Sequence, residues 1–308
     1  MINEPTPVPE RSTLAKIFLS PEEPRLRAGW RILAHSAAYN LLLICITIPV
    51  IIPVLLLGVP ADNLWLNQAI AVLAITPSVF LARRFLDRRT IVSIGLRLNQ
   101  WAIFDLLAGI GITFVMMGLI FAIELAMGWL TFEGFAWQSE SGGSVALTAL
   151  GMFALFILVG WNEELLFRGY RLQNLSDGLK PIWGVVISSA WFGVVHLLNP
   201  NATIIAAIGI LLAGLFLAYP VLRTGQLWLS IGLHIGWNFF EGPVFGFPVS
   251  GLNLYKLTHI TVQGPDLFTG GAFGPEAGLV LLPALLIGTG LVYGYTHVRN
   301  LQWKTSTV

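Results

Sequence analysis

Long apolar runs follow one another along almost the whole chain, and short polar stretches separate them. A helix needs about 20 apolar residues to cross a bilayer. Eight runs come close to that length or exceed it, and we expect each to form a spanning helix: 32–58, 64–82, 103–127, 145–167, 181–198, 203–222, 226–246 and 277–298. The pattern therefore predicts an all-α, polytopic membrane bundle of about eight transmembrane helices.

Basic residues fall almost entirely on one side of this predicted bundle. With eight spans both chain ends share a side, and every lysine and arginine except Lys256 falls on it. Loops rich in these residues face the cytoplasm. We therefore expect a multi-pass protein of the cell membrane with both termini cytoplasmic. Residues 1–28 would form a flexible cytoplasmic N-terminal arm, and residues 29–308 a membrane domain.

The composition favours the same class of protein. Apolar residues make up 56% of the 308 residues and charged residues 11%, whereas a soluble domain carries about 25% charged residues. The net charge of +1 gives no basic footprint for nucleic acid. The single cysteine, Cys45, excludes an internal disulfide framework. Membrane lipid is therefore the expected partner, and nucleic acid is not.

Two glutamates and an arginine lie at the end of the fourth predicted span. A charged side chain in a bilayer is costly, so it faces the bundle interior and has a partner. Glu164 and Arg168 are four residues apart and can pair on one helix face. Glu163 is turned by about 100° from Glu164 and remains a candidate reactive carboxylate. The alternative is that all three form one ion network at a helix end.

Polar residues also interrupt the fifth and seventh predicted spans. His196 follows Phe192 by one helical turn in the fifth span. His234 and Asn238 are four residues apart in the seventh, so they share a face. Taken singly, each could form an ordinary hydrogen bond between membrane helices.

Together these side chains have the chemistry that hydrolysis requires. A base takes a proton from water, and donors stabilise the oxyanion of the tetrahedral intermediate. Glu163 with His196 can hold and deprotonate water, whereas His234 and Asn238 can donate hydrogen bonds to the oxyanion. The combination favours a hydrolase within the membrane.

These motifs resemble those of the CPBP family, the CAAX-protease and bacteriocin-processing intramembrane peptidases, also called the Abi or Rce1-like family. The resemblance rests on Glu163-Glu164-x-x-x-Arg168, Phe192-x-x-x-His196 and His234-x-x-x-Asn238, in that order, within a core at about 145–240. It implies an intramembrane endopeptidase acting on membrane-associated or lipidated proteins or peptides, prenylated ones among them. The implied roles are Glu163 as base, His196 as its partner on water, His234 and Asn238 as oxyanion site, and Glu164 with Arg168 as a supporting ion pair.

The resemblance is compatible with two catalytic types, glutamate-dependent and metal-dependent. The sequence has no His-Glu-x-x-His motif, so the two ligands of a zincin helix are missing. Zinc held by Glu163, His196 and His234 is the alternative. We expect catalysis without a cofactor, because the amide of Asn238 is better suited to donate a hydrogen bond to an oxyanion than to act as a zinc ligand.

Simple topology puts Glu163 and His196 near opposite membrane surfaces. We therefore expect the segment 172–187 to enter the membrane, or the fifth span to be short and broken. In either case Asn199 would line a water-filled cavity, which we expect to open to the cytoplasm.

Two other classes of function remain open on these residues. One is a proton-coupled transporter, in which Glu163, His196 and His234 relay protons. The other is a catalytically silent membrane scaffold or immunity protein on the same fold. Internal repeats would favour a transporter, and the sequence shows none.

Overall fold

The computed structural model describes residues 12–58 and 63–306, and these residues form a helical bundle. Its α-helices are α1 (Thr13–Phe18), α2 (Ala28–Leu56), α3 (Leu64–Leu81), α4 (Gln100–Ala126), α5 (Gly142–Glu164), α6 (Leu172–Gly178), α7 (Pro181–Val195), α8 (Ile204–Thr224), α9 (Trp228–Phe239), α10 (Asp266–Thr269) and α11 (Leu281–Ser306). Several are extended by π or 3-10 turns, of which Leu165–Arg171 joins α5 directly to α6. The all-α membrane fold predicted from the sequence is confirmed.

Polar residues mark where the main helices begin and end. The side chains of Asn99, Ser141 and Thr203 accept backbone hydrogen bonds at the starts of α4, α5 and α8. These bonds satisfy N–H groups that a first helical turn leaves unpaired. Gly225 ends α8 in the left-handed conformation that glycine adopts most easily. Short polar sequences therefore set helix lengths inside long apolar runs.

Seven helices among the described residues are long and apolar enough to cross a membrane. They are Ala28–Leu56, Leu64–Leu86, Gln100–Ala126, Gly142–Gly178, Pro181–Leu198, Ile204–Thr224 and Leu281–Gln302. The predicted span 226–246 corresponds to α9, which has only 12 residues and continues as a π turn to Val244. The count of eight spans and the cytoplasmic termini stay predictions.

Helix α9 lies inside the bundle, where protein surrounds it. Its residues from Leu229 to Asn238 are all buried. Small residues allow a close approach to α4: a Cβ atom on Gly232 would lie 2.2 Å from the Leu106 carbonyl oxygen, and one on Gly236 would overlap the Thr113 hydroxyl. Small residues at helix contacts let membrane helices pack backbone to backbone. The short helix is thus held firmly at the centre.

Buried charges in the described bundle are mostly paired across helices. Asp87 accepts hydrogen bonds from Arg31 at 2.8 Å and from Arg83 at 3.0 Å, which ties α2 to the end of α3. Asp105 of α4 binds Arg299 of α11 through two bonds of 2.8 and 2.9 Å. Pairing offsets the cost of burying each charge. These contacts therefore link helices that are distant in the sequence.

The predicted N-terminal arm lies only partly within the described residues, since residues 1–11 fall outside them. From residue 12 onward the arm contains α1 and then packs against the bundle through Arg25, which is buried. Arg25 forms ion pairs with Glu23 and with Asp177 of α6. This second half of the arm therefore lies on the protein surface.

A two-stranded antiparallel sheet lies outside the helices and was not predicted. Strand β1 (Leu130–Phe135) pairs with β2 (Thr258–Val262), with a register shift between Phe132 and Gly134. Both strands lie in segments between helices that the hydropathy pattern assigns to loops. Their pairing anchors the long connection between α9 and α11 close to the end of α4.

Candidate active site

Glu163 lies within a helical stretch that runs without a break from Gly142 to Gly178. The predicted end of this span at residue 167 is therefore too early. The chain turns at residues 179–180 and returns as α7. Glu163 precedes this turn by as many residues as His196 follows it, so the two side chains reach the same level. This hairpin removes the separation that straight, shorter spans would impose.

The structure brings Glu163 together with both motif histidines. Its Oε2 atom lies 3.9 Å from Nε2 of His196 and 3.7 Å from Nε2 of His234. Both distances exceed the range of a direct hydrogen bond. Oε2 is buried and has no hydrogen-bond partner within the described part of the chain. A carboxylate oxygen thus faces two ring nitrogens across a gap that a single small molecule could bridge.

The opposite nitrogens of the two imidazoles have acceptor partners. Nδ1 of His196 lies 2.7 Å from the Phe192 carbonyl oxygen, and Nδ1 of His234 lies 2.7 Å from Oε1 of Glu164. Because the carbonyl can only accept, Nδ1 of His196 carries a proton, and in the neutral ring Nε2 presents a lone pair to the site. His234 has the Glu164 carboxylate behind it instead, which accepts a hydrogen bond from Nδ1–H.

Glu164 is fully buried and holds several parts of the site together. Its Oε1 atom accepts from Arg168 at 2.8 Å, and its Oε2 atom lies 2.5 Å from the Ser230 hydroxyl. Arg168 also donates to the Gly214 carbonyl oxygen of α8. The motif residues Glu164 and Arg168 therefore stand behind His234, on the side away from Glu163. Ser230, one turn before His234, was not singled out from the sequence.

Asn238 lines the same cavity as Glu163, His196 and His234. It follows His234 by one turn of α9, as the four-residue spacing indicates, and it is buried, with 7% of its surface exposed. Within the described residues its side-chain amide makes no hydrogen bond to protein. The sequence-predicted site residues are therefore adjacent in space, with Glu164 and Arg168 one layer further out.

The cavity has a volume of about 420 Å³ and mostly apolar walls. Asn199, which ends the 3-10 turn after α7, lines it and donates to the Ser250 carbonyl oxygen at 3.1 Å. The expected position of Asn199 beside a cavity agrees with this geometry. That the cavity opens to the cytoplasm stays a prediction.

Glu276 is a cavity residue that the motifs did not indicate. It is held by the Trp237 indole at 3.1 Å and the Ser250 hydroxyl at 2.6 Å. A Cβ atom on Gly209 of α8 would overlap the Glu276 carbonyl oxygen, so this glycine lets the loop enter the bundle. The sequence contains a glycine-rich stretch at 269–276, but no sequence pattern indicates that this stretch lies beside the site.

Zinc would find suitable donor atoms in Glu163, His196 and His234. Histidines that bind metals commonly donate their second nitrogen to a carbonyl or carboxylate, as both rings do here. Two ligands of a tetrahedral zinc ion lie about 3.3 Å apart, given bonds of about 2.0–2.1 Å. The separations of 3.7 and 3.9 Å are wider. The donor atoms are of the kind that zinc binds, but Glu163 Oε2 would have to move closer to both imidazole nitrogens to share one ion with them.

Comparisons with known proteins bear on the segment that carries this geometry. The chain is 29% identical over 189 residues to the uncharacterized protein YyaK of Bacillus subtilis (strain 168), and this match covers 59% of the chain and 60% of YyaK. The chain thus spans less than two thirds of that relative. No solved structure matches at a significant level.

The family comparison matches residues 145–240 to the family described as "Type II CAAX prenyl endopeptidase Rce1-like". The matched segment comprises 96 of the 308 residues, less than half of the chain. Its limits run from the first turn of α5 to the end of α9 and include Glu163, His196, His234 and Asn238. The resemblance indicated by the motifs is confirmed, since residues 145–240 are similar to this Rce1-like family.

Proposed function

We propose that the protein is an intramembrane endopeptidase that activates water with Glu163 and hydrolyses a peptide bond of a membrane-associated or lipidated protein. The observation that supports this most is the position of Glu163 Oε2. It is buried, has no protein hydrogen bond, and faces two histidine nitrogens across 3.7 and 3.9 Å. A purely structural ion network would use that oxygen.

The proposed reaction begins at this gap. Water is held between Glu163 Oε2 and the lone pair on His196 Nε2. Glu163 takes one proton, and the oxygen attacks the carbonyl carbon of the scissile bond.

The oxyanion that forms needs hydrogen-bond donors that are already in place. His234 supplies Nε2–H, and the Glu164 carboxylate behind Nδ1 stabilises the positive charge that such a donor carries. Asn238 supplies its amide N–H. When the intermediate collapses, the carbon–nitrogen bond breaks and the proton on Glu163 passes to the leaving nitrogen. The second proton of the water stays on the attacking oxygen, so the products are an amine and a carboxylic acid, which then ionises in water.

If zinc takes part, the ligands would be Glu163, His196 and His234, and the ion would supply Lewis acidity and a more acidic bound water. Asn238 would still face the oxyanion. The metal-free proposal has the support of the Asn238 amide, which lines the same cavity without a hydrogen bond to the described protein residues.

A comparison of protein termini in membranes tests this proposal and can name the substrates. Cells would carry the native chain, Glu163→Gln, or Glu133→Gln, a matched change at an exposed residue of β1. We expect a set of new N- and C-termini that is present with the native chain and Glu133→Gln and absent with Glu163→Gln. Identical termini in all three, at equal protein abundance, would favour a scaffold or a transporter instead.

A further inference from the structure

Arg171 is a buried arginine without a carboxylate partner. Six arginines are buried in the described structure: Arg25, Arg31, Arg83, Arg168, Arg171 and Arg299. The other five form ion pairs with aspartate or glutamate. Within the described residues no such pair forms at Arg171, and its Nε atom has no hydrogen bond. A buried guanidinium without a counter-ion is costly, so its retention calls for an explanation.

Aromatic rings hold this guanidinium in place. Its central carbon lies 3.7 Å from the centre of the Trp191 ring and 4.6 Å from that of Phe167. These contacts are attractive, but they do not supply the anionic hydrogen-bond acceptors that a guanidinium fork matches. Stacking therefore fixes the plane of the group and leaves its terminal N–H donors without an anion.

Arg171 lines the cavity that contains Glu163. It follows Glu163 by eight residues on the same unbroken helical stretch, which corresponds to about 12 Å along the axis. An extended peptide covers that distance in three to four residues. The lining between them includes Leu166 and Phe167, so the connecting stretch is apolar.

We propose that Arg171 is a specificity-determining residue, which binds a carboxylate of the substrate three to four residues from the scissile bond. This inference rests on the proposed function, because it takes Glu163 as the point of cleavage. The carboxylate has two sources in a peptide, the C-terminus and an aspartate or glutamate side chain. Either would pair with the guanidinium through two parallel hydrogen bonds.

A binding experiment tests this without requiring cleavage. The full chain with Glu163→Gln is placed in phosphatidylcholine nanodiscs and exposed to three fluorescent libraries of randomised eight-residue peptides. One ends in a carboxylate, one in a carboxamide, and one in a carboxamide with a single glutamate at a randomised position. All other residues are neutral. Retained fluorescence measures binding, so the result is independent of whether the native chain proves to be a protease.

We expect one carboxylate-bearing library to be retained about tenfold more than the neutral library. This is the gain in affinity that one charge-assisted hydrogen bond provides. The library that is preferred identifies the source of the carboxylate. Adding Arg171→Met should remove the preference, and Arg171→Lys should keep part of it. Arg223→Met is the matched control, because Arg223 stacks on Tyr293 outside the cavity.

Thermal unfolding of the same variants separates recognition from a structural role. Removing an unpaired buried charge should leave the unfolding temperature of Arg171→Met equal or higher. A lower unfolding temperature with an unchanged preference would make Arg171 a structural residue and overturn the proposal. Equal retention of all libraries by the Arg171 chain, including no retention at all, would overturn it as well.

Discussion

Replacing Gly232 with alanine should disable the site without touching a reacting group. A Cβ atom at this position would lie 2.2 Å from the Leu106 carbonyl oxygen of α4, whereas real Cβ atoms essentially never approach within 3.0 Å. The α4–α9 contact must therefore open by about 1 Å. His234 follows two residues later on α9 and must move with it. A misplacement of 1 Å at a reacting group lowers rates by about 100-fold.

The measurement is the rate of substrate cleavage by the purified protein in nanodiscs, together with its thermal unfolding. Overpacking of this kind costs about 1–3 kcal/mol of stability, so the protein should still fold. Gly111→Ala is the control: it lies on α4, its Cβ would meet nothing within 4 Å, and alanine favours helix by about 1 kcal/mol. A Gly232→Ala protein as active as Gly111→Ala would refute the claim that close packing of α9 positions the site.

Three further changes test other parts of the account. Ser230→Ala should slow cleavage about tenfold with little change in abundance, because Glu164 loses a hydrogen bond and holds His234 less firmly; an unchanged rate would mean that Ser230 does not position the ring. Asp105→Asn should lower the free energy of unfolding by about 3–5 kcal/mol, since Arg299 is left buried without its counter-ion; equal stability in denaturant titrations would show that the pair contributes nothing. Dialysis against 1,10-phenanthroline should leave the cleavage rate unchanged, and a loss restored by added zinc would instead assign Glu163, His196 and His234 as ligands.

The membrane class and the motif residues could be predicted from the sequence because both depend on local patterns. Apolar runs separated by basic loops indicate a helical bundle. A spacing of four residues places Glu164 beside Arg168, and His234 beside Asn238, whatever the rest of the fold does. The structure agrees with these spacings, since Arg168 lies 2.8 Å from Glu164.

Helix ends were predicted less well, because hydropathy does not reveal where a helix leaves the apolar layer. The helix of Glu163 continues to Gly178 through buried polar residues such as Arg171 and Asn174. Such polar residues lower the mean hydropathy, so the predicted span ends too early. In the structure they are accommodated by aromatic rings or hydrogen bonds. Hydropathy also does not distinguish protein from lipid around an apolar run: the run 226–246 contains α9, whose residues from Leu229 to Asn238 are buried inside the bundle.

Residues brought in from distant segments could not be found by spacing at all. Glu276 reaches the cavity only because the loop after β2 folds back beside α8 at Gly209. Ser230 contacts Glu164 because α9 packs against α5. Both contacts depend on tertiary packing, and a single sequence carries no signal for it beyond the glycines themselves.

The central claim, that Glu163 activates water for peptide-bond hydrolysis, is tested most directly by single-turnover cleavage in nanodiscs. The substrate would be one named by the comparison of termini, and the reaction would run in water enriched in ¹⁸O. We predict one ¹⁸O atom in the new carboxylate, and a rate for Glu163→Gln that is about 10²–10⁴-fold lower at unchanged substrate binding. A Glu163→Gln protein that cleaves at the native rate would contradict the account.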